Sequence, residues 1–212
     1  MKKSIAEFIS TFFLVFIGTG SVIVDHVSNG KVTLAGISLI TGLIVSLMII
    51  FLGKWSGAHM NPAVTLSLAA GGKFFRKDII PYLLAQAAGA LLASFLLRRI
   101  FPDSSTLGET LPSISSYWAF SFEFVITFFL MTVILICARM KLKYDAWIIG
   151  AYVAFGIYVG GPYCGGSMNP VRSFAPAVMN SNTELLWIYL TGPFIGALAA
   201  VFIFNYVYKK EA

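Results

Sequence analysis

Residues 56–65 read SGAHMNPAVT and residues 165–174 read GGSMNPVRSF. In both stretches, Asn-Pro follows a loop of small residues and opens a short apolar segment, at residues 61–71 and 169–179. Asn caps free backbone N–H groups, and Pro at the first helical position sacrifices no hydrogen bond, so each stretch predicts a helix start. A segment of about 11 residues, at about 1.5 Å each, spans only about half of a hydrocarbon core of about 30 Å. Both segments are therefore predicted to be half-helices that end inside a membrane.

The composition indicates a protein that folds in lipid. Of the 212 residues, 58% are apolar and only 11% are charged, whereas soluble domains carry about a quarter charged residues. Apolar stretches of about twenty residues, long enough to cross a bilayer, occur repeatedly along the chain. The predicted membrane spans are residues 5–24, 32–52, 79–97, 118–138, 146–163 and 185–208.

The chain also repeats itself: residues 6–14 read AEFISTFFL and residues 122–130 read FEFVITFFL. GALLA at 89–93 and GALAA at 196–200 follow in the same order. Each half contains three predicted spans, and because this number is odd the second half enters the membrane upside down. We therefore predict an all-α membrane protein of six transmembrane helices and two re-entrant half-helices in two inverted repeats. The predicted single transmembrane channel domain, residues 1–212, consists of repeat one at 1–101, a linker at 102–116 and repeat two at 117–212.

Basic residues are distributed unevenly between the two sides of this topology. Cytoplasmic loops carry an excess of Lys and Arg, so both termini are predicted to be cytoplasmic, at a plasma or inner membrane. The basic residues form short clusters between spans and not one polar face, so no nucleic-acid partner is predicted despite the net charge of +6. The predicted cytoplasmic set is Lys2, Lys3, Lys54, Lys73, Arg76, Lys77, Arg139, Lys141, Lys143, Lys209 and Lys210.

The two half-helices are predicted to meet start to start near the midplane, which places Asn61 beside Asn169. Irregular backbone at that depth is tolerated only where it is buried in protein or lines a cavity. The loops before the half-helices thus predict a narrow path with carbonyl acceptors, opposite the amide donors of the two Asn side chains. Two helix N-termini aimed at one point also create a positive focus that repels protons and cations. The predicted pore-lining backbone is that of Gly57, Ala58, His59, Gly165 and Ser167.

Several charged or titratable side chains fall inside the apolar segments. Arg172 lies three residues after Asn169, on the same helix face, and is predicted to be a fixed cation in the path; a structural ion pair is the alternative. Glu7 and Glu123 occupy equivalent positions of the repeat and are predicted to brace the loop backbones, with proton coupling as the alternative. His59 is equally compatible with lining the path and with packing against loop backbone.

The stretches at 56–65 and 165–174 resemble the paired signatures of the aquaporin and glycerol-facilitator family, over nearly the whole chain. The resemblance implies a homotetramer with a passive pore in every subunit, embedded in the bilayer. In the second motif, Val171 stands where the family usually has Ala. The resemblance assigns the pore centre to Asn61, Pro62, Ala63, Asn169, Pro170 and Val171. By the family's spacing, it assigns the selectivity filter to Thr41, Ile157, Gly166 and Arg172.

This filter is similar to that of plant nodulin-like intrinsic proteins, which are associated with boric acid, glycerol, urea and arsenite-type hydroxides. We therefore predict a passive channel for water and these small uncharged solutes that excludes protons and ions, with no enzymatic activity, cofactor or metal. The alternative is an ion-coupled secondary transporter of a small polar solute, because transporters also contain inverted repeats with broken helices. Cys164 is compatible with the outer mouth of the path and with a buried apolar position.

Overall fold

The computed structural model describes residues 1–208, and within that range its regular structure is entirely helical. Six of the helices are long and apolar enough to cross a membrane. The remaining two α-helices, α3 and α7, are the short segments that begin after the Asn-Pro pairs. The predicted all-α fold is therefore confirmed. In chain order the helices are α1 (Lys2–Val27), α2 (Thr33–Ser56), α3 (Pro62–Ala70), α4 (Ile79–Ile100), α5 (Ser116–Met140), α6 (Asp145–Cys164), α7 (Pro170–Met179) and α8 (Leu186–Tyr208).

Most of the long helices extend beyond the predicted apolar spans at one or both ends, although α8 does not, because hydropathy marks the part in lipid and not the end of hydrogen bonding. The end of α2 shows what stops the helix instead. Gly57 takes a left-handed φ of +86° and its N–H closes the last turn on the Gly53 carbonyl. Gly165 ends α6 in the same way, with φ +82° and its N–H on Gly161. The repeat thus places one glycine cap before each half-helix loop.

The two halves of the chain pack in the same way and then interlock. Within each half the first and last long helices pair, α1 with α4 and α5 with α8, and α2 packs against α6 between the halves. The half-helices also contact the opposite half, because α3 packs against α8 and α7 against α4. Each half-helix is therefore held partly by the other repeat.

Lys209 and Lys210 of the predicted cytoplasmic set, and the end of repeat two, lie outside the described residues.

Glycines at equivalent positions allow the paired long helices to approach closely. A Cβ atom on Gly89 would lie 2.4 Å from the carbonyl oxygen of Phe8, and one on Gly196 would lie 2.3 Å from that of Phe124. These distances leave no room for a methyl group. Small residues at helix crossings permit this backbone contact in membranes, where packing replaces the hydrophobic effect as the main force between helices.

We expect Gly196→Ala to destabilise the protein by about 1–3 kcal/mol, because the added methyl overpacks the crossing of α5 and α8. Gly53→Ala is the matched control: its Cβ would lie 3.5 Å from Ile49 Cγ2, an ordinary contact within α2. Thermal unfolding in detergent should show a lower midpoint for Gly196→Ala alone. Equal midpoints for the two variants would contradict this account of the crossing.

Candidate functional site

The two Asn residues cap the half-helices. The Asn61 side-chain oxygen accepts the backbone N–H of Ala63 at 2.9 Å, and the Asn169 oxygen accepts that of Val171 at 3.2 Å. Both Asn residues have extended backbones, followed by Pro at the first helical position. Each cap satisfies one of the N–H groups that a helix start leaves without a partner. The side-chain oxygens are thereby directed back into their own helices.

The amide nitrogens of the same side chains join the two halves. Asn61 Nδ2 donates to the carbonyl oxygen of Met168, and Asn169 Nδ2 donates to that of Met60, both at 2.7 Å. The half-helices thus meet start to start, as the inverted repeat predicts. An amide nitrogen carries two N–H donors, so each Asn retains one N–H for another acceptor.

A buried carboxylate supports each loop that precedes a half-helix. Glu7 and Glu123 are both fully buried, and each accepts two consecutive backbone N–H groups at 2.7 to 2.9 Å. Hydrogen bonds from two backbone donors fix the loop as well as the carboxylate. The donors are His59 and Met60 for Glu7, and Ser167 and Met168 for Glu123.

These loops adopt a backbone that few residues tolerate. Ala58 and Met60 have φ of +46° and +53°, and Met168 and Gly166 have φ of +53° and +59°. A non-glycine residue in the left-handed region costs about 1–3 kcal/mol and persists only where its surroundings hold it there. The hydrogen bonds to the two carboxylates provide that hold.

A cavity of about 560 Å³ passes along both loops. All four residues of the predicted filter line it, as do both Asn residues and most of the predicted pore-lining backbone. The predicted residues found in the wall are Thr41, Gly57, Ala58, His59, Asn61, Ile157, Gly166, Ser167, Asn169 and Arg172.

Five other predicted residues are absent from the wall as far as residues 1–208 describe it. Ala63 belongs to an apolar cluster with Val64 and Met131, and Val171 packs with Val15 and Ala175. The exchange of Ala for Val in the second motif therefore adds methyl groups to helix packing and not to the cavity wall. The five residues are Pro62, Ala63, Gly165, Pro170 and Val171.

The four filter residues come from different segments: α2, α6, the loop before α7, and α7. Thr41 Oγ1 donates to the carbonyl oxygen of Ile37 at 2.8 Å, so its lone pairs remain available. Gly166 passes so close to α6 that a Cβ there would lie 3.0 Å from Ile157 Cα. The close approach of Gly166 to Ile157 leaves little room for a side chain at position 166 of the constriction.

Arg172 is half-buried and is held by a backbone carbonyl. Its Nη1 donates to the carbonyl oxygen of Gly108 at 3.2 Å. No carboxylate lies within 4 Å of its guanidinium among the described residues, so the structure does not show the alternative ion pair. Gly108 belongs to the loop between α4 and α5, which the sequence indicates only as a linker. Its φ of +67° is favourable for glycine, but Leu107-Gly108 in sequence indicates only a turn.

His59 and Cys164 are the two residues for which the sequence allows alternative positions. His59 both lines the cavity and packs: its Nδ1 lies 3.0 Å from Thr65 Oγ1, and its ring contacts those of Phe74 and Tyr82. Cys164 is fully buried, and its Sγ donates to the carbonyl oxygen of a residue one turn earlier. It therefore occupies the buried apolar position.

The cavity wall also carries two cationic side chains, one after the end of α3 and one in the last turn of α5, that the sequence indicates only as topology signals. Lys73 and Arg139 both line the cavity. The Lys73 ammonium lies 5.5 Å from the Phe204 ring centre, and the Arg139 guanidinium lies 4.1 Å from that of Tyr208. Cation–π contacts of this kind hold charged groups at the edge of an apolar cavity.

Residues 1–208 contain no group of three His, Cys, Asp or Glu side chains that could hold a metal ion. The cavity wall instead presents amide, guanidinium, ammonium, imidazole and hydroxyl groups, which hydrogen-bond polar solutes.

Comparison with known proteins gives consistent results. The family model for the major intrinsic protein matches residues 1–204. Nodulin-26 of Glycine max is 36% identical over 211 residues, which cover 98% of this chain and 78% of that protein. Aquaporin NIP6-1 of Arabidopsis thaliana is 37% identical over 213 residues, covering 99% and 70%. The X-ray structure of the aquaglyceroporin from Plasmodium falciparum matches with a TM-score of 0.88 at 25% identity, covering 97% of this chain and 96% of that one.

Proposed function

The chain belongs to the major intrinsic protein family and is a passive membrane channel for water and small solutes, and we propose that its filter admits small uncharged solutes larger than water. Glycerol, urea, boric acid and arsenite-type hydroxides are the proposed solutes. Protons and ions are excluded in this proposal. Proteins of this family are channels and not enzymes, and the comparisons do not favour the ion-coupled transporter.

The observation that carries the proposal is the absence of an aromatic ring among the filter side chains. Thr41, Ile157 and Gly166 line the cavity together with Arg172, and none of them is aromatic. A ring at any of these positions would occupy the space that a three-carbon polyol or a planar trihydroxide needs. The similar structure from Plasmodium falciparum is that of an aquaglyceroporin, a name consistent with glycerol as a solute.

The hydrogen-bonding groups of the filter support the same solutes. Arg172 supplies several donors in a planar fork, while Thr41 keeps its lone pairs because its proton is turned toward Ile37. A solute with several hydroxyls can accept from the first and donate to the second. Since a polar solute loses its water contacts in the constriction, these replacement bonds lower the barrier to entry.

Ion exclusion is proposed to arise from the helix starts and the arginine acting together. Each half-helix contributes roughly half a positive charge at its N-terminus. Asn61 and Asn169, which start the two half-helices, both line the cavity, and Arg172 adds a full charge at the filter. A cation approaching this region loses hydration and meets repulsion, whereas a neutral solute meets hydrogen-bond donors and acceptors without that repulsion.

We expect Thr41→Trp to slow glycerol, urea and boric acid far more than water, because the indole narrows the filter. Leu39→Trp is the matched control, since Leu39 lies two residues away on α2 and is 67% exposed on its outer face. Stopped-flow measurements on proteoliposomes with each solute gradient would compare the two variants. If Thr41→Trp slowed all solutes equally, or if Leu39→Trp matched it, the assigned constriction would be incorrect.

We further propose a homotetramer in a plasma or inner membrane, with both termini cytoplasmic and one channel domain of repeats 1–101 and 117–212. The clustered basic residues support the orientation. Large apolar side chains on the outer surface, such as Phe51, Phe95 and Phe202, support contacts with lipid and with other subunits. Cross-linking in native membranes and protease protection of tagged termini would test these statements.

A further inference from the structure

A small chamber lies beside the filter, between the loop before α5, α7 and the start of α8. Its volume is about 10 Å³. It is separate from the permeation cavity, although Ser173 and Tyr189 bring it close to the filter loop. Its polar wall consists of Glu109, Thr110, Ser173, Asn182 and Tyr189.

Two buried polar atoms in the chamber wall have no partner that meets hydrogen-bond geometry among residues 1–208: Oε2 of Glu109 and the hydroxyl of Tyr189. Within the same wall, Tyr189 has only a weaker polar interaction with Thr110, and Glu109 with Asn182. Glu109 and Tyr189 are 8% and 1% exposed. The other carboxylate oxygen of Glu109 is held by the Asn180 amide, and burial raises the pKa of this loop carboxyl. Burying a polar group without a hydrogen-bond partner is unfavourable. Native proteins therefore pair such groups with protein or with ordered water.

Thr110 begins a chain of hydroxyl groups that leads from the chamber to the pore wall. Its Oγ1 donates to Ser173 Oγ at 2.6 Å, which lies 2.6 Å from Ser167 Oγ. Ser167 Oγ donates to the Asn169 carbonyl at 2.9 Å, so Ser173 must donate to Ser167. All three protons then point from the chamber toward the pore. Thr110 keeps a lone pair that can accept from a donor inside the chamber.

We propose that the chamber is a binding site for one water molecule. That water donates to Glu109 Oε2 and to Thr110 Oγ1 and accepts from the Tyr189 hydroxyl. Three hydrogen bonds are usual for a buried water, and about 10 Å³ is close to the volume that one water requires. A divalent cation would need about six or more oxygen ligands, more than this wall supplies.

The bound water has a consequence for the permeation pathway. It completes the hydroxyl chain, so it holds the proton directions fixed as far as Ser167, which lines the cavity one residue after the filter glycine. Glu109 and Tyr189 therefore act as positioning residues for the pore wall without touching a permeating solute. This inference does not depend on which solute the channel carries.

X-ray hydroxyl-radical labelling of the full chain in proteoliposomes tests the site. Radiolysis of a bound water yields a hydroxyl radical that adds to an adjacent ring, so Tyr189 should be oxidised although it is buried. Tyr82 is the matched internal reference, because it is also 1% exposed but its hydroxyl donates directly to the Ser56 carbonyl at 2.9 Å. Glu109→Leu removes an acceptor and fills the chamber. It should reduce Tyr189 oxidation about tenfold, the effect of about 1.4 kcal/mol on water binding, and leave Tyr82 oxidation unchanged.

Thr110→Val removes one partner of the water with little change in side-chain volume. It should also lower Tyr189 oxidation, and it decides the question if Glu109→Leu does not fold, as judged by gel filtration and thermal unfolding. The proposal is overturned if Tyr189 is not oxidised in the native protein. It is also overturned if Tyr189 is oxidised equally in the native protein and in the folded variants.

Discussion

Arg172→Val is expected to admit protons and small cations while neutral solutes continue to pass. Val is the residue at the equivalent position of the first half, Val64, so it is compatible with the start of a half-helix. Two unit charges about 4 Å apart interact by about 4 kcal/mol at an effective dielectric constant of 20. Since about 1.4 kcal/mol corresponds to a factor of ten, losing even part of this repulsion should raise proton flux at least tenfold. The half-helix starts retain part of the barrier.

Proteoliposomes with an internal pH dye would measure proton flux under a pH gradient, and methylammonium uptake would report on a larger cation. Arg172→Lys is the control, because it keeps the charge but loses the planar fork. It should retain ion exclusion while its preference among hydroxylated solutes changes. If proton flux in Arg172→Val stayed at the native level with normal glycerol flux, the half-helices alone would account for exclusion.

Much of the fold could be predicted because the lipid solvent imposes a simple pattern. Only helices and closed β-barrels satisfy their backbone within the hydrocarbon core, and an apolar stretch of about twenty residues has the length of one helical span. The Asn-Pro pairs mark helix starts by a local cap, which the bonds from Asn61 and Asn169 to their own helices confirm. The sequence around Glu7 is repeated around Glu123. This repeat predicts that the two glutamates support equivalent loops before the half-helices.

What could not be predicted depends on contacts between segments distant in sequence. Nothing near Gly108 in sequence indicates that its carbonyl binds Arg172, because the contact requires the loop to fold back over α7. The direction of Val171, into the packing around Val15, likewise depends on how α7 turns against α1 and α4. The sequence identifies Lys73 and Arg139 only as basic residues that flank apolar spans, whereas in the structure both also line the cavity. The spacing of apolar residues cannot distinguish a basic residue at a span end from one in the cavity wall.

The carboxylates under the loops explain how a strained backbone is maintained at the centre of the channel. Glu7 accepts three hydrogen bonds, from the N–H groups of His59 and Met60 and from the Gln86 amide. Glu123 accepts two backbone N–H groups. Both are accordingly proposed to act structurally, and the two halves should differ in their sensitivity to substitution.

We expect Glu7→Ala to abolish most of the water and solute flux and to lower the unfolding temperature markedly. Three buried donors lose their acceptor, and at about 1–3 kcal/mol for each unpaired group the loss is comparable to the total stability of about 5–15 kcal/mol of a typical protein. Without that acceptor, the left-handed residues Ala58 and Met60 can relax into the cavity. Glu123→Ala, with two such donors, should have the same effect to a smaller degree.

Asp103→Ala removes an acidic residue from an exposed position of the loop between α4 and α5 and serves as the control. Water permeability and thermal unfolding, measured together in detergent and proteoliposomes, should rank the variants as Glu7, then Glu123, then Asp103, from largest loss to none. A different outcome identifies a different role. If Glu7→Ala kept native stability and loop structure but changed how flux responds to a proton gradient, the carboxylate would be a coupling group and not a brace.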